Sequence, residues 1–490
     1  MSVQQTETPR PHVPTPSPTP VSPRRRGWRR RLMVAGICLL ALLAVPVIGY
    51  FVLSWHGERS MQAVIEETDR LDPRWRINDV LADRAAIPDD ENSALVALKV
   101  DKLLRSEGGF SLGIKYDHAF DDIVPQRRLN GVQIEALRQA LDKHEKALPL
   151  ARSLKDFSGE GRYPIKYTAD MISTSLDVLA QSRGVAHLLQ NDAWRRAEEG
   201  DIAGAMQSCR AILALARSVG DEPVILAALV RIAEAHIAVG ALERTLAQGR
   251  APEEELKAMQ ELIRREMAAP FLVTAMRGER ASFDVIAAEL QHGKVKVSGL
   301  VGRRAPTWED WLLDHFPVVA LQGRPECLRL LNKAVEASKL PPEKQAAEMD
   351  TIEKEIRGNS NLLARTLLPA VTKVSHAHCR NQANLSCALC AVAAERYRLH
   401  HGAWPVVLQD LVDGGWIEAV PIDPFDGQPL RYKRVPGEGV VIYSVGLDGV
   451  DNGGVLDRER MLQPGTDLGF LLFDEARRRQ APLPPKLIED

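Results

Sequence analysis

The stretch NDAWRRAEEGDIAGAMQSCRAILALARSVGDEPVILAALVRIAEAHIAVGALERTLAQ, Asn191 to Gln248, decides the fold class. Apolar residues recur in it at three- and four-residue steps, the period of helices that bury one face. A helix running from Ala193 to Glu199 ends at Gly200, and Asp201 supplies a cap for a second, Ile202 to Val219. Gly220-Asp221-Glu222-Pro223 then breaks the chain before a third helix, Val224 to Leu246. The small residues Ala203, Ala205, Ala211 and Ala214 let neighbouring helices approach closely.

The same pattern extends outward from about Met61 to His401, rich in Ala, Leu, Glu and Arg. Gly-Asp at a helical turn between such segments resembles a tetratricopeptide-type hairpin. The resemblance covers one or two hairpins, and no 34-residue period sustains it. The expected body is therefore an irregular helical bundle. Two stretches are less regular. Leu71-Asp72-Pro73-Arg74-Trp75 to Asn92 reads as loop, with Asp89-Asp90 favouring the dipole of a helix that starts near Asn92. Gly293 to Pro325 carries Trp308, Trp311 and Phe316 and reads as a loop folded onto the bundle. From Asn359 to His401 one long helix is expected, restarted at Pro369. Its apolar face is Leu363, Leu367, Ala370, Val374, Leu385, Ala388, Val392 and Leu399.

Upstream of the bundle, Leu32 to Trp55 is an almost uncharged apolar run behind the cluster Arg24-Arg25-Arg26-Gly27-Trp28-Arg29-Arg30-Arg31. Twenty-four helical residues rise about 36 Å, enough to cross a hydrocarbon core of about 30 Å. The run ends in bulky Tyr50-Phe51-Val52-Leu53-Ser54-Trp55 instead of a small-x-small cleavage site, so an uncleaved anchor is expected. Cys38 comes too early in the run, behind Ile37, for a lipoprotein signal. Arg29-Arg30 is explained by the positive-inside bias without a twin-arginine signal. That bias places the N-terminus in the cytoplasm and the large remainder outside. Trp28 and Trp55 bracket the span as interfacial aromatics do.

Charge divides the chain in the same place. Up to Arg31 there are seven arginines and one acid, a net of +6. Beyond it lie 56 of the 63 basic and 64 of the 65 acidic residues, a net of −8. An acidic remainder argues against nucleic acid, whose phosphates need clustered Lys and Arg. Residues 1–23 hold seven prolines and cannot bury a core.

Six cysteines are too few for a disulfide scaffold. Outside the apolar run Cys209, Cys327, Cys379, Cys387 and Cys390 make an odd number, so at least one is expected free or paired to another chain. His376, His378, Cys379, Cys387 and Cys390 look like a metal constellation on one helix. Residues 376 and 390 are then separated by a rise of about 21 Å, which rules out one ion. Their expected role is a packing seam with Ala383 and Ala394.

The chain after Cys390 changes character. Glu395-Arg396-Tyr397-Arg398-Leu399 leads to Gly402-Ala403-Trp404-Pro405, then to Pro421-Ile422-Asp423-Pro424-Phe425-Asp426-Gly427-Gln428-Pro429-Leu430-Arg431-Tyr432, and then to Tyr443-Ser444-Val445-Gly446-Leu447-Asp448-Gly449. This order resembles the C-terminal globular module of the major pseudopilins of type II secretion systems, as also found in uncharacterised bacterial single-pass membrane proteins. The resemblance covers roughly the last fifth of the chain. It implies a long helix, a small antiparallel sheet and a calcium loop. Read directly, Asp423-Pro424 and Asp426-Gly427 are turn chemistry, and Leu430 to Val435 pairs with Gly439 to Ser444 as a hairpin about Pro436-Gly437. The chain departs from the family in its span, about 300 residues upstream of this helix and without the family's cleavage motif. Arg365, Lys373 and Arg380 make the helix itself too polar to cross a bilayer.

The resemblance implies calcium at Asp448, and the loop Asp448-Gly449-Val450-Asp451-Asn452-Gly453-Gly454-Val455-Leu456-Asp457 offers hard oxygens that suit that ion. The expected ligands are Asp448, Asp451, Asn452 and Asp457. The alternative is an Asx- and Gly-rich turn without metal.

Catalytic signatures are sparse. Gly109-Phe110-Ser111-Leu112-Gly113, followed by Asp117 and His118, matches a nucleophile elbow in letters, but the polar end of a helix precedes it where the elbow needs a buried strand. No His-Glu-x-x-His, Walker A or dinucleotide fingerprint occurs. The expected organisation is mainly α: a Pro- and Arg-rich cytoplasmic tail (1–31), a transmembrane helix (32–55), a helical ectodomain (56–358), a pseudopilin-like module (359–475) and a tail (476–490). The expected location is a bacterial cytoplasmic membrane, single-pass, with protein partners in the envelope. Two functions fit: a scaffold or binding protein linked to envelope assembly or secretion, or an extracytoplasmic hydrolase with its site between helices.

Overall fold

A computed structural model describes residues 26–112, 120, 123–157, 159–300, 307–457 and 464–483. The fold is mainly helical with one small antiparallel sheet. Contacts divide the chain into two units, Met1–His56 and Gly57–Asp490. Helix α1 (Arg26–Leu71) carries the apolar run, whose Leu39, Leu42, Ile48 and Phe51 are exposed. By length and composition it is able to cross a membrane.

In the second unit, Asn92 caps α2 (Ser93–Ser106), its side chain accepting from the Ala94 amide at 3.1 Å. The segment that decides the fold class forms three successive helices, α3 (Ser182–Glu199), α4 (Ile202–Ser218) and α5 (Ile225–Gln248). Gly200 ends α3 in the left-handed region (φ 89°), where a Cβ would be strained, and Asp201 caps α4 through the Gly204 amide at 2.9 Å. Then follow α6 (Glu253–Met267), α7 (Phe271–Gln291), α8 (Trp308–His315), α9 (Pro317–Ser338), α10 (Pro342–Gly358) and α11 (Leu362–Leu367). The chain restarts at Pro369 as α12 (Pro369–His401), as its sequence requires, because proline tolerates only the first helical turn.

Gly293 to Pro325 differs from expectation. It contains α8, closed by a Thr307–Asp310 capping box. Trp308 and Trp311 stay 68% and 53% exposed, because α8 turns Asp310 and Leu313 inward.

Helix α12 is the spine. It packs against α5, α6 and α10 and against two strands of the sheet. Leu363, Val374, Leu385, Ala388 and Val392 of the expected apolar face are buried, whereas Ala370 is exposed and Leu367 and Leu399 are half-buried. Burial is not confined to a face: twenty residues of α12 are buried, since neighbours enclose it. Val371 and Val374 join one apolar core, with α7, α9 and α10, while Leu385 to Ala394 join another, with α3 to α6 and the sheet. Residue 359 therefore lies at a junction inside one compact unit.

The sheet has the order β1 (Arg431–Val435), β2 (Gly439–Ser444), β3 (Leu468–Phe473), antiparallel throughout, in registers Arg431↔Tyr443 and Gly439↔Phe473. The β1–β2 turn is the expected Pro436-Gly437, with Gly437 at φ 73°. All six β2 positions are buried.

Candidate functional site

The expected calcium residues lie in the loop after β2. Asp448 accepts from the Val450 amide at 3.0 Å and the Gly465 amide at 2.9 Å. The Gly465 amide, then that of Val450, holds its carboxyl below the usual carboxylate range. Asp451 accepts from the Gly453 amide at 2.8 Å and from the Tyr443 hydroxyl at 3.1 Å. Asn452 donates its side-chain amide to the Val450 carbonyl at 3.0 Å. Asp457 lines a separate cavity with Glu243 and Asp467. The donor types fit calcium, but the three carboxylates do not gather: among the described residues, only Asp350, Glu353 and His376 bring three ligand atoms within 4.8 Å of one another. Asp467, outside the expected ligand set, is buried and accepts from the Asn452 amide at 3.2 Å and the Gly454 amide at 2.7 Å.

The helix-borne constellation separates. His376 pairs with Asp350 of α10 at 3.0 Å, and Glu353 pairs with Arg357. His378 is buried edge-on to Phe271, and burial, then Arg231, pushes its imidazole down to about 4. Cys379, Cys387 and Cys390 are buried free thiols, and burial pushes Cys379 and Cys390 up to about 12. In the elbow motif Gly113, Asp117 and His118 lie outside the described residues.

The concave site lies elsewhere. A cavity of about 800 Å³ runs along α5 between α3 and α12. Its existence follows from the α5 sequence. Ala227, Ala228, Ala235 and Ala238 face inward and let α5 sit close to its neighbours. Leu226, Leu229, Ala233, His236 and Gly240, at steps of three and four, form an exposed stripe among the described residues. The walls are Leu179, Val230, Ile232, Ile237, Ala377 and Leu468, and the polar groups are Arg183, His187, Glu234, His236, Arg380, Asn381 and Asn384. A second cavity of about 320 Å³ shares His236, Asn384 and Leu468 with it. Half-buried and bearing Arg231, Glu234, Glu243 and Arg244, α5 is a core helix of this unit.

Glu234 is 2% exposed, and neither carboxyl oxygen has a hydrogen-bond partner. Ser182 is next to it but donates to the Leu179 carbonyl at 2.8 Å. Burial pushes the Glu234 carboxyl up to about 8, so it is mostly neutral at pH 7 and can donate. The Asn381 side-chain nitrogen, in a residue 4% exposed, is likewise unpartnered. Arg380 has no hydrogen-bond or ion-pair partner among the described residues. The Asn384 side-chain nitrogen donates to His236 Nδ1 at 2.8 Å. Burial lowers His187 from its ordinary value.

The polar groups form no short motif, because they come from three helices. One signal was present: Arg231, Glu234 and His236 interrupt an otherwise apolar run from Ile225 to Leu242. Comparison with known protein families, curated proteins and solved structures finds no match for this chain.

Proposed function

We propose that this is a membrane-tethered binding protein of the cell envelope, anchored by the apolar run of α1 and receiving a ligand in the α5 groove. The groove carries the reading. Its volume lies in the range of small-molecule sites, its walls are mainly apolar, and a few polar groups converge in it. The sixteen lining residues include no Ser, Thr, Cys, Lys or Tyr to serve as a nucleophile.

The hairpin order α3 to α6 supports a tetratricopeptide-like scaffold. The order α12, three-stranded sheet, Asp- and Gly-rich loop supports a pseudopilin-like module, and enclosure of α12 by α5, α6 and α10 supports a role for it as the core of the body. Calcium at Asp448 belongs to the same reading. A second reading, hydrolysis, is favoured by one observation: Glu234 is a neutral buried acid beside His187 and His236 in one groove.

The test uses the full-length protein in native membrane vesicles and a photoreactive long-chain alcohol. Crosslinks on peptides from 225–248 and 369–401, besides those on 32–55, are expected. Labelling confined to 32–55 overturns the binding reading.

A further inference from the structure

The groove holds more unspent polar chemistry than an apolar ligand needs. Both Glu234 carboxyl oxygens and the Asn381 side-chain nitrogen are buried without partners, and all belong to residues lining one cavity. A buried polar group left unpaired costs about 1–3 kcal/mol, so native proteins reserve such groups for something that satisfies them.

The charges give the sign of that ligand. Arg183 and Arg380 line the cavity, and neither has a hydrogen-bond or ion-pair partner among the described residues. The arginines nearby that are structural behave differently: Arg231 spends its guanidinium on Glu266, Glu160 and the Gly220 carbonyl. The one acid lining the cavity is Glu234, so no carboxylate in its walls opposes a bound anion at neutral pH. A guanidinium offers paired N–H donors matched to a carboxylate or phosphate. Leu179, Leu229, Val230, Ile232, Ile237 and Leu468 supply an apolar wall, and His187, His236 and Asn384 are the other polar groups of the lining.

We infer that the α5 groove binds a single-chain amphiphile with an anionic head, its chain against the apolar wall and its head on Arg380, Arg183 and Asn381. Glu234 in its neutral form donates to the same head. This inference rests on the binding reading. A free long-chain carboxylate and a chain bearing a phosphate monoester share this chemistry.

The experiment uses full-length protein in membrane vesicles and three photoreactive probes of one chain length, ending in carboxylate, phosphate monoester or hydroxyl. Half-maximal labelling of peptides 225–248 and 369–401 is expected at about tenfold lower concentration for an anionic probe than for the alcohol, a difference that charge-assisted hydrogen bonds readily supply. The stronger of the two anions identifies the source. In the double variant R183Q/R380Q this preference should vanish while labelling by the alcohol persists, which also shows that the groove is still folded. Equal labelling by all three probes in the parent protein overturns the inference and leaves the binding reading standing. A preference that survives in the double variant overturns the head-group placement. If no probe labels either peptide, the binding reading itself falls.

Discussion

Arg231 gives Nε and Nη2 to the two carboxyl oxygens of Glu266, each at 2.8 Å, and so leaves Glu234, one turn further along α5, without a counter-charge of its own. Both partners are fully buried. Arg217 adds a third contact to Glu266 at 3.2 Å, and the Arg231 guanidinium lies 4.7 Å from the centre of the Phe271 ring. The network that locks α5 to α6 is thus also what keeps the groove acid unpaired.

Removing one partner of a buried ion pair strands the other, at about 3–5 kcal/mol. Glu266→Gln should therefore lower the urea midpoint markedly. Glu160→Gln removes a half-exposed partner of the same arginine and should cost about 1 kcal/mol or less. Equal, small losses for the two variants would show that Arg231 is not held by Glu266 as described.

Glu234 sets a basic limit to stability. Its carboxyl rises from an ordinary 4.5 to about 8 on folding, mainly through burial. Between those values the folded state binds the extra proton, so stability is complete below about 4.5 and is lost as pH climbs to about 8. Glu234→Gln carries no such charge. Its stability relative to the parent should improve by a few kcal/mol between pH 5 and pH 8.5 on the scale of 1.36 kcal/mol per unit. A relative stability that does not change with pH would refute the placement of this acid.

His378 acts in the opposite direction. Burial, then Arg231, pushes its imidazole from 6.5 down to about 4, so the unfolded chain binds the extra proton between those values. Stability is then full above about 6.5 and is lost as pH falls toward 4, by at most about 3 kcal/mol. Thermal melts of His378→Leu should show a flatter acid limb than the parent. Parallel acid limbs would mean that His378 reaches solvent.

How much of this was legible depended on how local the physics was. Gly200, Asp201 and Pro223 stop and start helices through their own backbones, and the hairpin at Pro436-Gly437 follows from turn chemistry; such features sit in adjacent residues. The third strand, Leu468-Gly469-Phe470-Leu471-Leu472-Phe473, was less readable, because a continuous apolar run fits a buried helix or a buried strand equally well. The groove was not readable. His376 was visible, but its partner Asp350 comes from another helix. Arg183, Glu234 and Asn381 are separated by up to about 200 residues, and only the packing of α3, α5 and α12 brings them to one cavity. Trp308 and Trp311 misled for a related reason, since aromatic composition does not say which side of α8 faces inward.

The membrane reading has its own test. Protease added outside spheroplasts should digest the large unit and leave a fragment of about 55–60 residues, because the span expected from the arginine bias ends near Trp55. Full protection of the large unit, or its release as a soluble mature protein, would contradict that topology.

The last prediction separates two ways of neutralising the loop after β2. Asp448 is held by the Val450 and Gly465 amides, and Asp467 by those of Asn452 and Gly454. Those amides already contact both carboxylates, whereas a calcium ion requires six to eight oxygens at about 2.3–2.6 Å. A ligand that binds only the folded form stabilises it by about 2.7 kcal/mol at a hundredfold excess over Kd. The calcium proposal therefore expects the Tm of the full chain to rise in millimolar calcium over chelator, and Asp448→Ala to abolish the rise. Asp467→Ala should lower the Tm with or without calcium, since it removes a buried acceptor from two amides. If calcium and chelator give one Tm for the parent protein, the amides alone hold the loop and the ion is not its ligand.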